Sequence, residues 1–165
     1  MNLKDFEAVV LEYQKPVYNH VLRLVLSKDD ATDCTQDTFI KIYNNRENID
    51  LNKNIKSFIY RVATNTALDF LRKKKRLNEV EYIEDETIVE EITYTKEEEE
   101  MIRVDTDKAL SKLRENERAI ILLFYREEFS YIEISKILDL PINTVKTNLR
   151  RAKFALKKHL QKYER

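Results

Sequence analysis

The sequence predicts an all-α protein in which an acidic linker joins two small helical domains. First, its 165 residues include no Gly and only two Pro, so the residues that most often end helices are nearly absent. Second, apolar residues recur at spacings of three and four along most of the chain, which is the period of an amphipathic helix. Third, charge is segregated although the net charge is zero. Residues 51–80 and 106–165 each carry +6, while residues 1–50 carry −3 and residues 81–105 carry −9.

Three amphipathic helices are predicted in the amino-terminal domain, residues 1–76. The first carries an apolar stripe from Leu3 to Val25. The second is predicted to begin near Asp29 and Asp30, because acidic side chains suit the positive end of a helix dipole. Its expected inner face consists of Ala31, Cys34, Thr38 and Ile42. The third, from about residue 55 to residue 75, is expected to bury Ile59, Val62, Ala63, Thr66 and Phe70.

The third helix also carries a polar face that ends in a basic run. Arg61, Asn65, Leu68 and Arg72 recur at intervals of four, three and four, and residues 72–76 read RKKKR. Basic groups beside aromatic rings suit single-stranded DNA, where bases stack and the backbone needs neutralising. The alternative is that the basic run is solvated surface and that the aromatic rings belong to the core.

The middle segment, residues 77–105, has the poorest helical periodicity and the highest density of acidic residues. We therefore predict a flexible acidic linker there.

A helix-turn-helix is predicted within the carboxy-terminal domain, residues 106–165. Ser130 and Glu133 have the spacing of a capping box, which marks the start of a helix. That helix must be short, because Asp139 suits a left-handed turn residue and Pro141 prevents continuation. A second helix is expected from about residue 141 to residue 160. Two helices joined by so tight a turn are typical of a DNA-binding helix-turn-helix.

The outward face of that second helix is polar and basic. Amides, hydroxyls and cations near the start of a recognition helix can hydrogen-bond base edges, and later cations reach phosphates. The residues that we assign to duplex DNA are Asn143, Thr144, Lys146, Thr147, Arg150 and Arg151.

Composition excludes several classes of function. Without Gly there is no phosphate-binding P-loop, no GxGxxG turn and no EF-hand loop. One Cys and two His 139 positions apart leave no evident metal site or catalytic nucleophile, so we expect neither cofactor nor enzyme activity. The longest hydrophobic run, Ala119–Tyr125, is far shorter than the roughly 20 residues that cross a bilayer. With no signal peptide, the chain is expected to be cytoplasmic and not inserted in a membrane.

Two segments resemble the extracytoplasmic-function (ECF) sigma factors of bacterial RNA polymerase. DATDCTQDTFIKIYNN and IKSFIYRVATNTALDFLRKKKR are similar to their region 2. ALSKLRENERAIILLFYREEFSYIEISKILDLPINTVKTNLRRAKFALKKHL is similar to their region 4. Two matches in the family's order are far more specific than one. Asn143 stands where the family usually has Gly, and Phe58 where it often has Trp, so we expect altered promoter preference with retained activity.

The resemblance implies a role for each surface. Asp33, Gln36, Asp37 and Lys41 match the face that docks on the clamp helices of core RNA polymerase. Three sets of residues match those that act on the downstream promoter element. Asn65 matches a residue that holds a base flipped out of that element, and residues 49–54 (Ile49 to Asn54) match the loop that forms the base pocket. Arg61, Arg72 and Lys73 match the residues that separate the strands and contact phosphates. The recognition helix would read the upstream element as duplex. The resemblance also implies an anti-sigma factor as a partner, which in this family is often membrane-bound.

One alternative function remains open from the sequence. The alternative interpretation is a helix-turn-helix repressor or activator that binds duplex DNA only and whose amino-terminal bundle senses a ligand or dimerises. Binding to core RNA polymerase discriminates the two, since only a sigma factor requires it.

Overall fold

The computed structural model describes residues 1–77 and 107–161, with side chains as far as His159, and its regular structure is helical throughout these ranges. The amino-terminal unit contains α1 (Leu3–Val25), α2 (Lys28–Asn44), a 3₁₀ turn (Arg46–Asn48) and α3 (Ile55–Leu77). The carboxy-terminal unit contains α4 (Glu115–Ile121), a π-helical turn (Leu122–Arg126), α5 (Tyr131–Leu138) and α6 (Ile142–Gln161). Residues 107–111 are also helical. The predicted all-α fold is confirmed. The predicted linker, residues 77–105, lies outside the described residues except for Leu77.

The first two helices begin at side-chain caps. Asn2 accepts from the Asp5 amide at 2.9 Å, and Asp5 reaches back to the Asn2 amide at 3.3 Å, which forms a capping box. Ser27 accepts from the Asp30 amide, so α2 begins at Lys28, and Asp29 and Asp30 lie in its first turn as predicted.

The core of the amino-terminal unit lies among α1, α2 and α3. The predicted inner face of α2 is buried in full: Ala31, Cys34, Thr38 and Ile42. It packs with Val17, Val21 and Leu24 of α1 and with Ile59 and Ala63 of α3, all with no exposed surface. Each fully buried Val, Leu or Ile stabilises the bundle by about 1.5–3 kcal/mol before the entropy of ordering is counted.

The helix-turn-helix forms as the sequence predicted. Ser130 accepts from the Glu133 amide at 3.2 Å, and Glu133 accepts from the Ser130 amide at 2.8 Å. Asp139 adopts the left-handed conformation with φ of 52°, and α6 follows directly after Pro141. Between the two helices lie the buried residues Ile134, Ile137, Val145, Leu149 and Ala152.

The two units pack directly against each other. Helix α3 packs along α5, and α4 lies against α1 and α3, so the buried apolar residues of both units form one continuous cluster. The sequence predicted two units but did not indicate this interface between them, which we call the seam.

Within the described ranges, none of the helices combines the length and the hydropathy that crossing a lipid bilayer requires.

Candidate polymerase and nucleic-acid interfaces

The residues assigned to polymerase docking lie together on the solvent-facing side of α2. Asp33, Gln36, Asp37 and Lys41 are all exposed. Asp37 and Lys41 form an ion pair at 3.0 Å across one helical turn, and the Lys41 ammonium also donates to the Thr66 hydroxyl at 3.1 Å. An exposed pair of this kind stabilises a helix by less than about 1 kcal/mol. The charges of this face therefore remain accessible to a partner.

An apolar groove that sequence reasoning missed adjoins this face. It lies between α1 and α2, has a volume of about 620 Å³, and is lined by Phe6, Val10, Gln14, Thr35, Gln36, Phe39, Ile40 and Tyr43. Ile40 is 56% exposed, and the ring of Tyr43 meets Phe6 edge-on at 5.2 Å. Gln36 belongs both to the groove and to the polar face. The signal in the sequence was Ile40 and Tyr43, two large apolar residues outside the buried stripe of α2.

The face of α3 assigned to strand separation is only partly open to solvent. Arg61, Arg72 and Lys73 are exposed, and Arg72 pairs with Asp69 at 2.9 Å. Leu68, which shares this face, is only 3% exposed. The Asn65 side-chain amide is half-buried and donates to the Ile137 carbonyl of α5 at 3.1 Å. The structure therefore brings these residues onto one face but engages Asn65 with protein.

The loop before α3 divides into a buried and an exposed part. Ile49 is 9% exposed and belongs to the core, and its carbonyl accepts from the amino-terminal ammonium of Met1 at 3.2 Å. Residues 50–54 are exposed. Asn54 accepts from the Ser57 amide at 3.1 Å, and it donates to the Glu133 carboxylate of α5 at 3.0 Å. In this conformation the Ile49 side chain supports the loop rather than facing solvent.

The recognition helix α6 presents the predicted residues outward. Asn143, Lys146, Thr147, Arg150 and Arg151 are exposed, and Thr144 is half-buried. The Thr147 hydroxyl donates to the Asn143 carbonyl at 2.9 Å, and the Lys146 ammonium lies 5.7 Å from the centre of the Tyr131 ring.

Two further residues of α6, one basic and one aromatic, lie beside this basic surface. Lys153 lies over the Tyr125 ring at 5.2 Å, and the hydrogen bond that its ammonium donates to the Tyr125 hydroxyl raises the pKa of that ammonium. Phe154 is 74% exposed and follows Arg150 by one helical turn.

The seam between the two units contains buried charges. Arg118 is buried, and its guanidinium donates to the Leu24 carbonyl of α1 and to the Leu113 carbonyl; burial lowers its pKa to about 10. Arg23 and Asp107, both buried, approach to 4.0 Å. Burial raises the pKa of the Asp107 carboxyl, and the positive charge of Arg23 opposes that shift. Burying these charges costs desolvation, which the backbone hydrogen bonds of Arg118 and the attraction between Arg23 and Asp107 offset only in part.

A second part of the seam combines aromatic and cationic contacts. The Lys56 ammonium donates to the Glu127 carbonyl at 2.9 Å and lies 4.9 Å from the centre of the Phe129 ring. That ring meets Tyr60 of α3 edge-on at 5.4 Å. Burial raises the pKa of the Glu127 carboxyl, against the effect of its hydrogen bond with Tyr60.

No group of three or more His, Cys, Asp or Glu residues within the described parts of the chain is arranged to hold a metal ion.

Two protein-family models match the chain in sequence order. Residues 9–77 match Sigma-70 region 2, and residues 103–156 match Sigma-70, region 4.

Several characterised proteins are similar over most of their length. The ECF RNA polymerase sigma factor SigW of Bacillus subtilis (strain 168) is 32% identical over 166 residues, which cover 94% of this chain and 89% of that protein. RNA polymerase sigma factor SigV of the same organism is 32% identical over 143 residues, covering 87% and 83%. The ECF RNA polymerase sigma-E factor of Haemophilus influenzae is 29% identical over 168 residues, covering 96% and 88%.

Two solved structures share the fold. The sigma factor RpoE of Bartonella quintana, in complex with the anti-sigma factor NepR, aligns with a TM-score of 0.81 at 24% identity, covering 96% of this chain and 98% of that one. CnrH in complex with the cytosolic domain of CnrY aligns with a TM-score of 0.68 at 21% identity, covering 97% and 90%.

Proposed function

Because the chain belongs to the sigma-70 family of RNA polymerase sigma factors, in its ECF class, we propose that three of its surfaces, on α2, α3 and α6, divide the steps of promoter recognition among them. A sigma factor directs core RNA polymerase to promoters. The observation that carries this function is the pair of family matches in the order region 2 then region 4. A duplex-only regulator is not favoured, because region 2 has no role in that function.

Helix α6 recognises the upstream promoter element. Its first turns present Asn143 and Thr147, whose amide and hydroxyl can bond base edges in the major groove. Arg150 and Arg151 follow on the exposed side and suit phosphates. Asn143 adds an amide where the family usually has no side chain, so it is the residue that we expect to alter base preference.

The α2 face and the groove beside it bind core RNA polymerase. Asp33, Gln36 and Asp37 offer hydrogen bonds and negative charge, and Ile40 with Tyr43 offers apolar surface next to them. A polar rim around an apolar centre is the usual anatomy of a protein interface.

Helix α3 separates the strands of the downstream promoter element. An unstacked base costs a few kcal/mol, which hydrogen bonds and stacking in a pocket must offset. Asn65 supplies an amide for that purpose, the exposed loop at residues 50–54 supplies the wall of the pocket, and Arg61, Arg72 and Lys73 supply charge for the backbone.

In these steps the chain binds and positions and does no covalent chemistry. Its partners are core RNA polymerase and promoter DNA, both duplex and single-stranded, and its place of action is therefore the cytoplasm. Two proteins of the same fold were solved in complexes, RpoE with the anti-sigma factor NepR and CnrH with the cytosolic domain of CnrY. We include an anti-sigma factor among the partners of this chain on that basis.

Run-off transcription tests this function. Purified core RNA polymerase is mixed with the chain and a library of promoter fragments, and specific transcripts are expected only when the chain is present. The control is a chain with Gln36→Ala and Asp37→Ala. Failure of the parent chain to bind core polymerase would exclude a sigma factor.

A further inference from the structure

The face of α3 that is assigned to strand separation is partly covered by the helix-turn-helix unit, at Asn65. Three amino-terminal side chains reach across the seam. Asn65 donates to the Ile137 carbonyl at 3.1 Å, Asn54 to the Glu133 carboxylate at 3.0 Å, and Lys56 to the Glu127 carbonyl at 2.9 Å. All three acceptors lie between residues 127 and 137.

The partner of Asn65 has the character of the ligand that Asn65 is assigned to bind. Ile137 lies in the last turn of α5, where backbone carbonyls have no acceptor role within the helix and carry partial negative charge. A carbonyl of that kind accepts from an amide just as the edge of a base does. Helix α5 therefore occupies the same donor that a base would need.

The chemistry of the seam suits reversible opening. Besides apolar contacts that continue the core of both units, such as that of Tyr60 with Phe129, it holds buried charged groups, including Arg118 on the Leu24 carbonyl. Charged and polar groups are rehydrated when an interface opens, and polar contacts between domains are typical of domains that move.

The recognition surface is not covered in the same way. Asn143, Thr147 and Arg150 on α6 are exposed while α5 lies on α3. A closed chain can therefore present α6 to duplex DNA while its strand-separating face is occupied.

We propose that helix α5 and the single-stranded downstream promoter strand compete for the same face of α3, so that the closed chain binds duplex but not the separated strand. This inference rests on the assignment of Asn65 made above. When only a fraction of a protein is open, its apparent dissociation constant is the intrinsic constant divided by that fraction. A chain closed in 99 molecules out of 100 would thus bind the strand about 100-fold more weakly than an open one.

A reversible cross-link tests the competition. Lys75 of α3 and Glu115 of α4 approach to 4.0 Å across the seam; Lys75 is exposed and Glu115 is partly exposed. The variant Lys75→Cys with Glu115→Cys, joined by a cleavable bis-maleimide, holds the two units together. The matched control is Lys74→Cys with Asp30→Cys, because that pair lies at 2.9 Å within the amino-terminal unit. The native Cys34 is 3% exposed and burial raises the pKa of its thiol to about 11, so it is a poor target for maleimide; Cys34→Ala serves as the background.

The readout is fluorescence anisotropy with two probes from a promoter found by run-off transcription. One is the labelled single strand of its downstream element, and the other is the duplex of its upstream element. We expect the cross-seam link to weaken single-strand binding at least tenfold, with recovery after cleavage, and to leave duplex binding unchanged. The control link should change neither. If the linked chain binds the strand as tightly as the cleaved chain, the competition is wrong.

The variant Asn65→Ala shows whether a negative result comes from the absence of competition or from a wrong assignment of Asn65. If the parent, the cleaved chain and Asn65→Ala all bind the strand equally weakly, the assignment of Asn65 is wrong and the competition falls with it.

A second variant opens the seam instead of closing it. Lys56→Ala removes the contacts with the Glu127 carbonyl and the Phe129 ring, and its control is Lys15→Ala on the exposed side of α1. Loss of a cation should by itself weaken binding to DNA. A several-fold gain in single-strand affinity for Lys56→Ala, without a gain for Lys15→Ala, therefore supports opening. No gain for Lys56→Ala would contradict it.

Discussion

The imidazole Nε2 of His20 and the hydroxyl of Thr64 lie 2.9 Å apart where α1 packs against α3, and neither residue has exposed surface. The ring also meets Tyr60 edge-on at 5.1 Å. Burial, with Arg23 and Arg126 adding to it, lowers the pKa of His20 to about 3. The histidine is thus held neutral in the folded chain.

His20 should make folding sensitive to acid. Its pKa is about 6.5 in an unfolded chain and about 3 in the folded one, so the unfolded state takes up the proton first. Its contribution is fully present above pH 6.5 and is lost as the pH falls toward 3, by roughly 1.4 kcal/mol per pH unit at most. Urea unfolding, followed by circular dichroism from pH 7 to pH 4, measures this loss.

The variant His20→Gln isolates that contribution from those of the carboxyls of Asp107 and Glu127. Burial raises the pKa of both carboxyls, so their protonation favours the folded state and opposes the effect of His20. Stability of His20→Gln should fall less between pH 6.5 and pH 4 than stability of His159→Gln, which keeps the buried ring. Equal pH profiles for the two variants would contradict the buried neutral histidine.

A glycine should stabilise the turn between the π-helical segment and α5. Glu128 is exposed and has φ of 60°, a left-handed conformation that costs a non-glycine residue roughly 1 kcal/mol. Glu128→Gly should therefore raise the free energy of unfolding by up to about 1 kcal/mol. The control, Lys136→Gly on the exposed side of α5, should lower it by about as much. Thermal unfolding of the two variants decides; destabilisation by Glu128→Gly would mean that the Glu side chain matters more than the backbone.

The α2 face should govern affinity for core polymerase. Gln36→Ala with Asp37→Ala removes two exposed polar groups beside the groove, and Ile40→Ala removes its exposed apolar member. Truncating buried interface partners commonly costs 2 kcal/mol or more, so each variant should bind at least tenfold more weakly. Asn116→Ala, an exposed amide on α4, is the control. Titration of labelled core polymerase measures affinity, and unchanged binding by both α2 variants would relocate the docking face.

Asn65 should matter more for melting than for duplex binding. Asn65→Ala removes the amide assigned to the flipped base, whereas the α6 surface is untouched. In holoenzyme, permanganate reactivity of the downstream element should fall about tenfold while gel-shift affinity for the closed complex changes little. Asn116→Ala, which removes an exposed amide on α4, is the control. Equal losses in both assays would indicate a folding defect.

Much of the fold was determined by residues close together in sequence. The capping box of Ser130 and Glu133, the left-handed Asp139 and the buried stripe of α2 each depend on spacings of four residues or fewer. At that range the backbone geometry of a helix dictates which side chains meet, so the pattern could be read directly. The outward positions of Asp33, Gln36 and Asp37, and of Thr147 and Arg150, followed from the same periodicity.

The seam was decided only by tertiary structure. Arg118 meets the Leu24 carbonyl 94 positions earlier, and Asn65 meets the Ile137 carbonyl 72 positions later. Periodicity places Asn65 and Leu68 on a face but cannot say whether solvent or another helix covers it, because that depends on how two separately formed units pack. The burial of Leu68 and the lowered pKa of His20 have the same origin, since both require surfaces that come together only when the whole chain is folded.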